Sequence, residues 1–352
     1  MAVSTRLLLD SRAFARYDLV HLDTADRRNI QNIGRFDVYN ILLGIRHAFH
    51  CLWLLLLRRP ALLYLPISQG LGGFLRDAAF LLPSHWLRIP VVIHLRGSEF
   101  GDFYTDSNPL VRFFIRHALK DVTRAIVLGE RLRAVFDGLL SAQRVAVIPN
   151  GAEDLAEGAA REKTANGRVR GLFLSNLRER KGLFITIEAV LQALQNHPNL
   201  EFVFAGDWQS PEIEAEVKAR LANHGSQDRI SFRKPVIGEE KARLYCSSDF
   251  FVFPPIEPEG HPRVILEAMA ASLPVITTDQ GAITETVVDG ETGFVVPAGD
   301  AEAIREKISW LVNAGSGRIE MGRAARERFL TGYTAERANS RLADLFAEVL
   351  NR

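Results

Sequence analysis

Two carboxylates frame one apolar run in this chain, Glu259-Gly260-His261-Pro262-Arg263-Val264-Ile265-Leu266-Glu267-Ala268-Met269-Ala270. The run has helix-forming composition, so Glu259 precedes the helix and Glu267 falls about two turns inside it. Gly260 permits close backbone approach, and Pro262 suits a first helical position. A helix start offers unpaired N–H groups and a positive dipole end to an anion. Carboxylates on either side of such a start suit a ligand that carries both phosphates and hydroxyls, and a sugar nucleotide is one. The same spacing alone also describes an ordinary amphipathic helix with a Glu near its cap.

A second constellation is Ser175-Asn176-Leu177-Arg178-Glu179-Arg180-Lys181-Gly182, between an apolar run and a helical pattern. Lys181 at the helix entrance combines its charge with the dipole and is a natural phosphate ligand. A solvated basic helix start is the plainer alternative. A third is His94, at the end of Pro90-Val91-Val92-Ile93-His94-Leu95 and before Arg96-Gly97-Ser98-Glu99-Phe100. A histidine ending a strand is either structural or, at the carboxyl end of a parallel strand and followed by Gly97, a ligand-facing group.

These residues need strands that end beside helix starts, and the chain supplies them. Short apolar runs alternate with helical patterns, which predicts α/β architecture with parallel sheets. Strands are predicted at Tyr17–Leu22, Ala61–Leu65, Pro90–Leu95, Ala125–Leu128 and Val145–Ile148. Helices are predicted over 38–58, 70–83, 108–120 and 130–138. Asn150-Gly151 marks a turn and a domain boundary, after which the alternation restarts. Strands then fall at Gly171–Ser175, Leu200–Gly206, Ile230–Phe232, Asp249–Pro254 and Leu273–Thr278, with helices over 181–196, 211–223, 238–247 and about 335–350.

The chain has 352 residues, enough for two domains at about 150 residues each. Its hydrophobic content of 47% and charged content of 24% are ordinary for a soluble globular protein. Two cysteines, Cys51 and Cys246, exclude a disulfide scaffold and fit a reducing cytosol. Met1 to Arg12 lacks the apolar core of a signal peptide. The net charge of +1 hides an asymmetry: residues 1–150 hold 19 Lys+Arg against 12 Asp+Glu, and the remainder carries −6. A basic half fits an anionic membrane surface or a phosphorylated substrate, and no zinc spacing or aromatic-basic signature points to nucleic acid. The run Arg46-His47-Ala48-Phe49-His50-Cys51-Leu52-Trp53-Leu54-Leu55-Leu56-Leu57-Arg58-Arg59 mixes cations with an apolar stretch too short to span a bilayer. It reads either as a core helix with charged ends or as a peripheral membrane contact.

The succession Asp249–Pro254, Glu259–Ala270, Leu273–Thr278, Asp289-Gly290-Glu291-Thr292-Gly293-Phe294-Val295-Val296 and Gly299-Asp300 resembles the C-terminal half of the retaining glycosyltransferases of family 4, the glycosyl transferases group 1 family. The resemblance covers nearly all of residues 145–350. It implies the GT-B fold: α/β, two Rossmann-like domains facing a cleft, with a C-terminal helix crossing back to the N-terminal domain. The expected boundaries are 1–150 for the acceptor-side domain, 151–334 for the nucleotide-sugar domain and 335–352 for the crossing helix. In such a protein Glu267 accepts hydrogen bonds from the ribose, Glu259 contacts the transferred sugar, and the N–H groups of Gly260, His261, Arg263 and Val264, in the segment that also holds Pro262, bind sugar hydroxyls and diphosphate. His94 matches the family's histidine that faces the donor sugar, so His94 and Glu259 are the expected catalytic pair; nearby Glu257 does not fit the spacing. Lys181-Gly182 matches the family's phosphate-binding Lys-Gly. The family's usual Arg falls on Asn176 and its usual Gly on Ser175, which leaves Arg178 or Arg263 to supply that cation. Val236 and Ile237, in Pro235-Val236-Ile237-Gly238, fall in the base-reading loop.

The start Met1–Leu9 resembles the helix that follows the family's first strand and glycine-rich loop, so both are expected to be missing from this chain. The reaction implied is metal-independent transfer from a nucleotide sugar to an acceptor hydroxyl with retention, in cell-envelope or exopolysaccharide synthesis. No Asp-x-Asp run is present, and neither metal nor cofactor is expected beyond the donor itself. The expected partners are that donor and a glycan or lipid-linked acceptor, in the cytoplasm or at the inner face of the membrane. The alternatives are a non-catalytic sugar-nucleotide-binding protein and a sugar-nucleotide epimerase of the same architecture.

Overall fold

The computed structural model describes residues 3–24, 38–157, 167–222, 224–225 and 227–351. The chain divides into two compact units, Met1–Pro149 with Ala335–Arg352, and Asn150–Thr334.

In the first unit, α1 (Val3–Leu9) and α2 (Val38–Arg58) precede β1 (Leu63–Ile67), α3 (Leu71–Trp86), β2 (Val91–Leu95), α4 (Phe100–Asp106), α5 (Pro109–Leu119), β3 (Arg124–Val127) and β4 (Val145–Val147). The strands form a parallel sheet in the order β1-β2-β3-β4. Every residue of β2 and β3 is buried, as a parallel sheet covered on both faces requires. The C-terminal helix Ala335–Leu350 belongs to this unit. Its Leu342, Leu345, Phe346 and Val349 pack with Phe14, Val92, Ile126 and Ile148, and its Glu348 meets Arg124 at 2.6 Å.

Several expectations shift here. Tyr17–Leu22 is not a strand: a turn at Arg12–Phe14, capped by the Ser11 side chain, leads into irregular chain with Leu19 and Val20 exposed. Tyr17 instead anchors to the C-terminal helix, its ring against Phe346 and its hydroxyl donating to the Ala343 carbonyl at 3.3 Å. The apolar signal there reflected a side chain that docks on a helix, not a ladder. The strand expected at Ala61–Leu65 runs from Leu63 to Ile67 and includes Pro66. An edge position among the described strands tolerates the missing N–H. Residues 130–136 are a 3₁₀ helix rather than an α-helix, stopped by Gly138 at φ +73°. No strand precedes β1 among the described residues.

The second unit contains β5 (Val169–Leu174), α6 (Leu183–Asn196), β6 (Leu200–Ala205), α7 (Pro211–Ala222), β7 (Ile230–Arg233), α8 (Gly238–Cys246), β8 (Phe250–Phe253), α9 (Arg263–Ala270), β9 (Val275–Thr278), β10 (Gly293–Val296), α10 (Ala301–Asn313) and α11 (Ser316–Gly332). With the last helix of the chain, these make α12 the segment Ala335–Leu350. The sheet is parallel in the order β10-β9-β8-β5-β6-β7. The chain therefore leaves β5 in one direction through β6 and β7, then returns to its other side with β8. This reversal between β5 and β8 is a topological switch point, where the strand ends open a crevice for ligands. Phe173, Phe202, Phe204, Phe250, Phe251 and Phe253 fill the core beneath it. Two of the sequence motifs serve this scaffold. Asp300 caps α10 by accepting from the Ala303 N–H at 2.9 Å. Asp289 and Thr292 close the turn before β10, accepting from the N–H groups of Val295 and Val288, each at 2.9 Å.

Candidate functional site

The second unit gathers the predicted donor residues on loops that leave β5 and β8. After β5, Leu177 is fully buried and pairs its backbone with the loop after β6: its N–H donates to Asp207 O at 2.8 Å and its carbonyl accepts from Gln209 N at 3.2 Å. The chain then makes a 3₁₀ turn over Glu179–Lys181 and enters α6 through Gly182. Gly182 has φ +81°, and a Cβ there would lie 2.0 Å from the Pro254 carbonyl oxygen. Only glycine fits both demands. The close approach holds the Lys-Gly turn against the end of β8, where Ile256 N donates to Arg180 O at 3.0 Å.

That packing puts Lys181 Nζ in a charge-assisted contact with Glu259 Oε1, with Nζ 5.8 Å from the Phe253 ring centroid. The Lys181 and Glu259 side chains are 21% and 12% exposed. Arg178 lies three residues before Lys181, and its Nε is buried without a hydrogen-bond partner among the described residues. Asn176 is exposed on the same loop and Arg263 is half-buried at the start of α9. Glu257 points away to pair with Arg180 at 3.5 Å.

Glu259 and Gly260 are held from behind. Gly281, at φ +55°, lies so close to the Glu259 carbonyl that a Cβ would sit 1.6 Å from its oxygen, and Ala282 N donates to Gly260 O at 2.9 Å. His261 is a brace. Its Nδ1 accepts from the Asn150 N–H at 3.0 Å, its carbonyl accepts from Asn150 Nδ2 at 2.8 Å, and its Nε2 lies 2.6 Å from Thr286 Oγ1. An Nδ1 that accepts leaves the neutral ring's proton on Nε2, which donates to Thr286. Burial pushes the imidazole down to about 4. The imidazole is thus committed to holding the loop, and only the backbone of His261 remains for a ligand. Pro262 is the N-cap of α9 rather than its first helical residue, and no side chain caps that end. The first N–H groups of α9, near Val264, open beyond it.

Glu267 is buried, with Lys241 Nζ 2.7 Å from Oε1 and Tyr245 Oη 3.1 Å from Oε2. Tyr245 Oη also lies 3.2 Å from the Val264 carbonyl. Burial first, then the Glu267 charge, push the Tyr245 phenol well above its usual range, so it stays a neutral donor. A carboxylate has about four lone-pair sites, so Glu267 retains capacity for a further donor. Lys241 and Tyr245 escaped the sequence reading, as did the Asn150 and Thr286 contacts to His261. The one available signal was the spacing of Lys241 and Tyr245, which places both on one face of α8. Val236 is buried and Ile237 is 82% exposed in the extended segment before α8.

His94 lies in the first unit, buried at the end of β2. Arg96 donates to Tyr64 Oη at 3.0 Å, and that oxygen is 2.7 Å from His94 Nδ1. Since Arg only donates, the phenol proton goes to Nδ1 and the neutral ring carries its own proton on Nε2. Burial first, then the Arg96 charge, push the imidazole well below its usual range. Nε2 is buried without a hydrogen-bond partner among the described residues. His94 is therefore a neutral, oriented N–H donor. No group of three or more His, Cys, Asp or Glu able to hold a metal ion occurs among the described residues.

The family model described as glycosyl transferases group 1 matches residues 159–328. The amylovoran biosynthesis glycosyltransferase AmsK of Erwinia amylovora is 28% identical over 50% of this chain and 44% of its own length. The alpha-D-kanosaminyltransferase of Streptomyces kanamyceticus is 24% identical over 76% of this chain and 73% of its own. The chain spans about half the length of the first curated relatives it matches. Among solved structures, Anabaena HepE in complex with UDP and glucose superposes with a TM-score of 0.71 at 19% identity, covering 90% of this chain and 84% of that one. The two parallel sheets are thus those of a GT-B-like fold.

Proposed function

We propose, from the match of residues 159–328 to the family model described as glycosyl transferases group 1, that this chain is a retaining, metal-independent glycosyltransferase. Its donor is a nucleoside diphosphate sugar and its acceptor a hydroxyl of a glycan or lipid-linked sugar. The observation that carries this reading is the Lys181–Glu259 pair beside the uncapped start of α9, at the switch point between β5 and β8. The UDP and glucose named for HepE and the amylovoran biosynthesis named for AmsK support it.

In the proposed reaction the acceptor oxygen bonds to the anomeric carbon while the bond from that carbon to the phosphate oxygen breaks. The bonding pair leaves with the nucleoside diphosphate, and the acceptor proton passes to a phosphate oxygen on the same face. Negative charge develops on the leaving diphosphate. Lys181, Arg178 and the N–H groups of α9 stabilise that charge, and donors oriented in advance need little reorganisation as the bond breaks. Glu259 holds the Lys181 ammonium and accepts from hydroxyls of the transferred sugar. Glu267, already oriented by Lys241 and Tyr245, accepts from the ribose. The loop at Val236 and Ile237 reads the base. No cofactor is proposed besides the donor.

The test offers a panel of nucleoside diphosphate sugars with and without a membrane-derived glycolipid fraction. Nucleoside diphosphate release that requires acceptor, and an anomeric configuration kept in the product, support transfer with retention. Conversion of the donor sugar without acceptor identifies an epimerase. Binding of donor with no turnover identifies a sugar-nucleotide-binding protein.

A further inference from the structure

The helix α2 is apolar on two opposite faces, and only one of them is covered. His47, Cys51 and Leu55, four residues apart, are its buried face. Leu42, Phe49, Trp53 and Leu56 lie seven, four and three residues apart, which at 3.6 residues per turn puts them on one opposite face. All four are at least half exposed, Phe49 by 69%. Ile45 and Leu57 flank them and are also exposed. The reading of this run as a core helix with charged ends therefore holds for one face alone. An exposed stripe of this size on a folded protein marks an interaction surface.

Charge selects its occupant. No Asp or Glu occurs from Val38 to Arg76, while Arg46, Arg58 and Arg59 lie along and just beyond the helix. The 19 Lys+Arg and 12 Asp+Glu of residues 1–150 give that half +7, and residues 335–352 add no net charge. A second copy of the chain would bring the same positive charge against this face, whereas an anionic surface would neutralise it. The helix has 21 residues, about 30 Å of length, yet no helix among the described residues is long and apolar enough to cross a membrane. Lying in the interface satisfies both facts: the apolar stripe enters the acyl boundary, and the arginines meet the headgroups.

We infer that α2 is an interfacial helix that docks the first unit on anionic lipid through Leu42, Phe49, Trp53 and Leu56. Docking does not depend on the proposed transfer reaction, because vesicle binding reports it alone and transfer to a water-soluble acceptor reports the reaction alone. The test sediments the full chain with vesicles of phosphatidylcholine alone or mixed with phosphatidylglycerol, at low and high salt. Binding is expected on the mixed vesicles only, and weakened by salt. Phe49→Gln and Trp53→Gln should each lower it about tenfold, and Arg58→Gln and Arg59→Gln about fivefold each. These positions are exposed, and an unchanged circular dichroism spectrum confirms the fold. Trp53 emission should shift to the blue on binding, and Trp53→Phe should abolish that shift while keeping most of the binding. No binding to the mixed vesicles at low salt overturns the inference. So does binding indifferent to Phe49→Gln and Trp53→Gln, or a lipid-free dimer that these substitutions dissociate, since the stripe would then be covered by a second copy.

Discussion

Replacing Lys181 by Met removes a charge and keeps the aliphatic stem. Two separable losses should follow. The first is structural. Lys181 and Glu259 are mostly buried, at 21% and 12% side-chain exposure, so the substitution leaves a poorly solvated carboxylate without its cation. Breaking a fully buried pair costs about 3–5 kcal/mol. Both groups here keep some water, and the loss of a charged hydrogen bond, about 1.5–3 kcal/mol, is the better scale. For a domain the size of the second unit each kcal/mol moves Tm by about 2–4 °C, so Tm should fall by about 3–12 °C. The second loss is catalytic. Losing one preorganised donor to developing negative charge lowers turnover about 10²- to 10³-fold. The double variant Lys181→Met/Glu259→Gln separates them. Removing the orphaned carboxylate should recover most of the stability and none of the turnover. Lys181→Arg should fall between, since it keeps the charge but not the point geometry. Calorimetric melting and donor-turnover rates on all four proteins decide the matter. Wild-type turnover in Lys181→Met, or turnover restored in the double variant, would refute the assignment of Lys181 to the leaving group.

Glu267→Gln should weaken nucleoside diphosphate binding by about 1.5–3 kcal/mol, the scale of a hydrogen bond to a charged group, and isothermal calorimetry on the folded variant checks it. Gly182→Ala should cost more than about 1 kcal/mol, because alanine resists φ +81° and its Cβ meets the Pro254 carbonyl; chemical denaturation measures the change. His261 has a folded pKa of about 4 against 6.5 unfolded, so between those values the unfolded chain binds more protons and stability rises with pH. Its contribution is complete above pH 6.5 and falls by about 1.4 kcal/mol per unit as pH drops toward 4. Urea unfolding of wild type and His261→Gln at pH 7.5 and 5 should show a smaller difference at the lower pH, and an equal difference at both would contradict the buried neutral ring.

The parts of the site legible in the sequence were those written in neighbouring residues. Glu259 through Glu267 placed a helix start between two carboxylates, and Lys181-Gly182 placed a cation at a strand-to-helix turn. Both depend on local chain geometry. What stayed hidden depends on distant partners. Asn150 and His261 are 111 positions apart, and nothing local to either foretells the brace. Lys241 meets Glu267 because α8 and α9 are brought together on one unit. Tyr17–Leu22 had strand-like residues, but Tyr17 found the C-terminal helix and the segment lies outside the described ladders. α2 shows the same limit from the other side. An all-apolar helix reads as core, and only packing reveals which face the protein leaves open.

The most direct test of the central claim is the anomeric configuration of the product. An α-linked nucleoside diphosphate sugar that supports turnover is incubated with the glycolipid fraction, and the new linkage is read by nuclear magnetic resonance. Retention predicts an α-linked product, formed only with acceptor and reduced at least about 100-fold in Lys181→Met. A β-linked product, or an α-linked product formed at the same rate by Lys181→Met, would contradict the account.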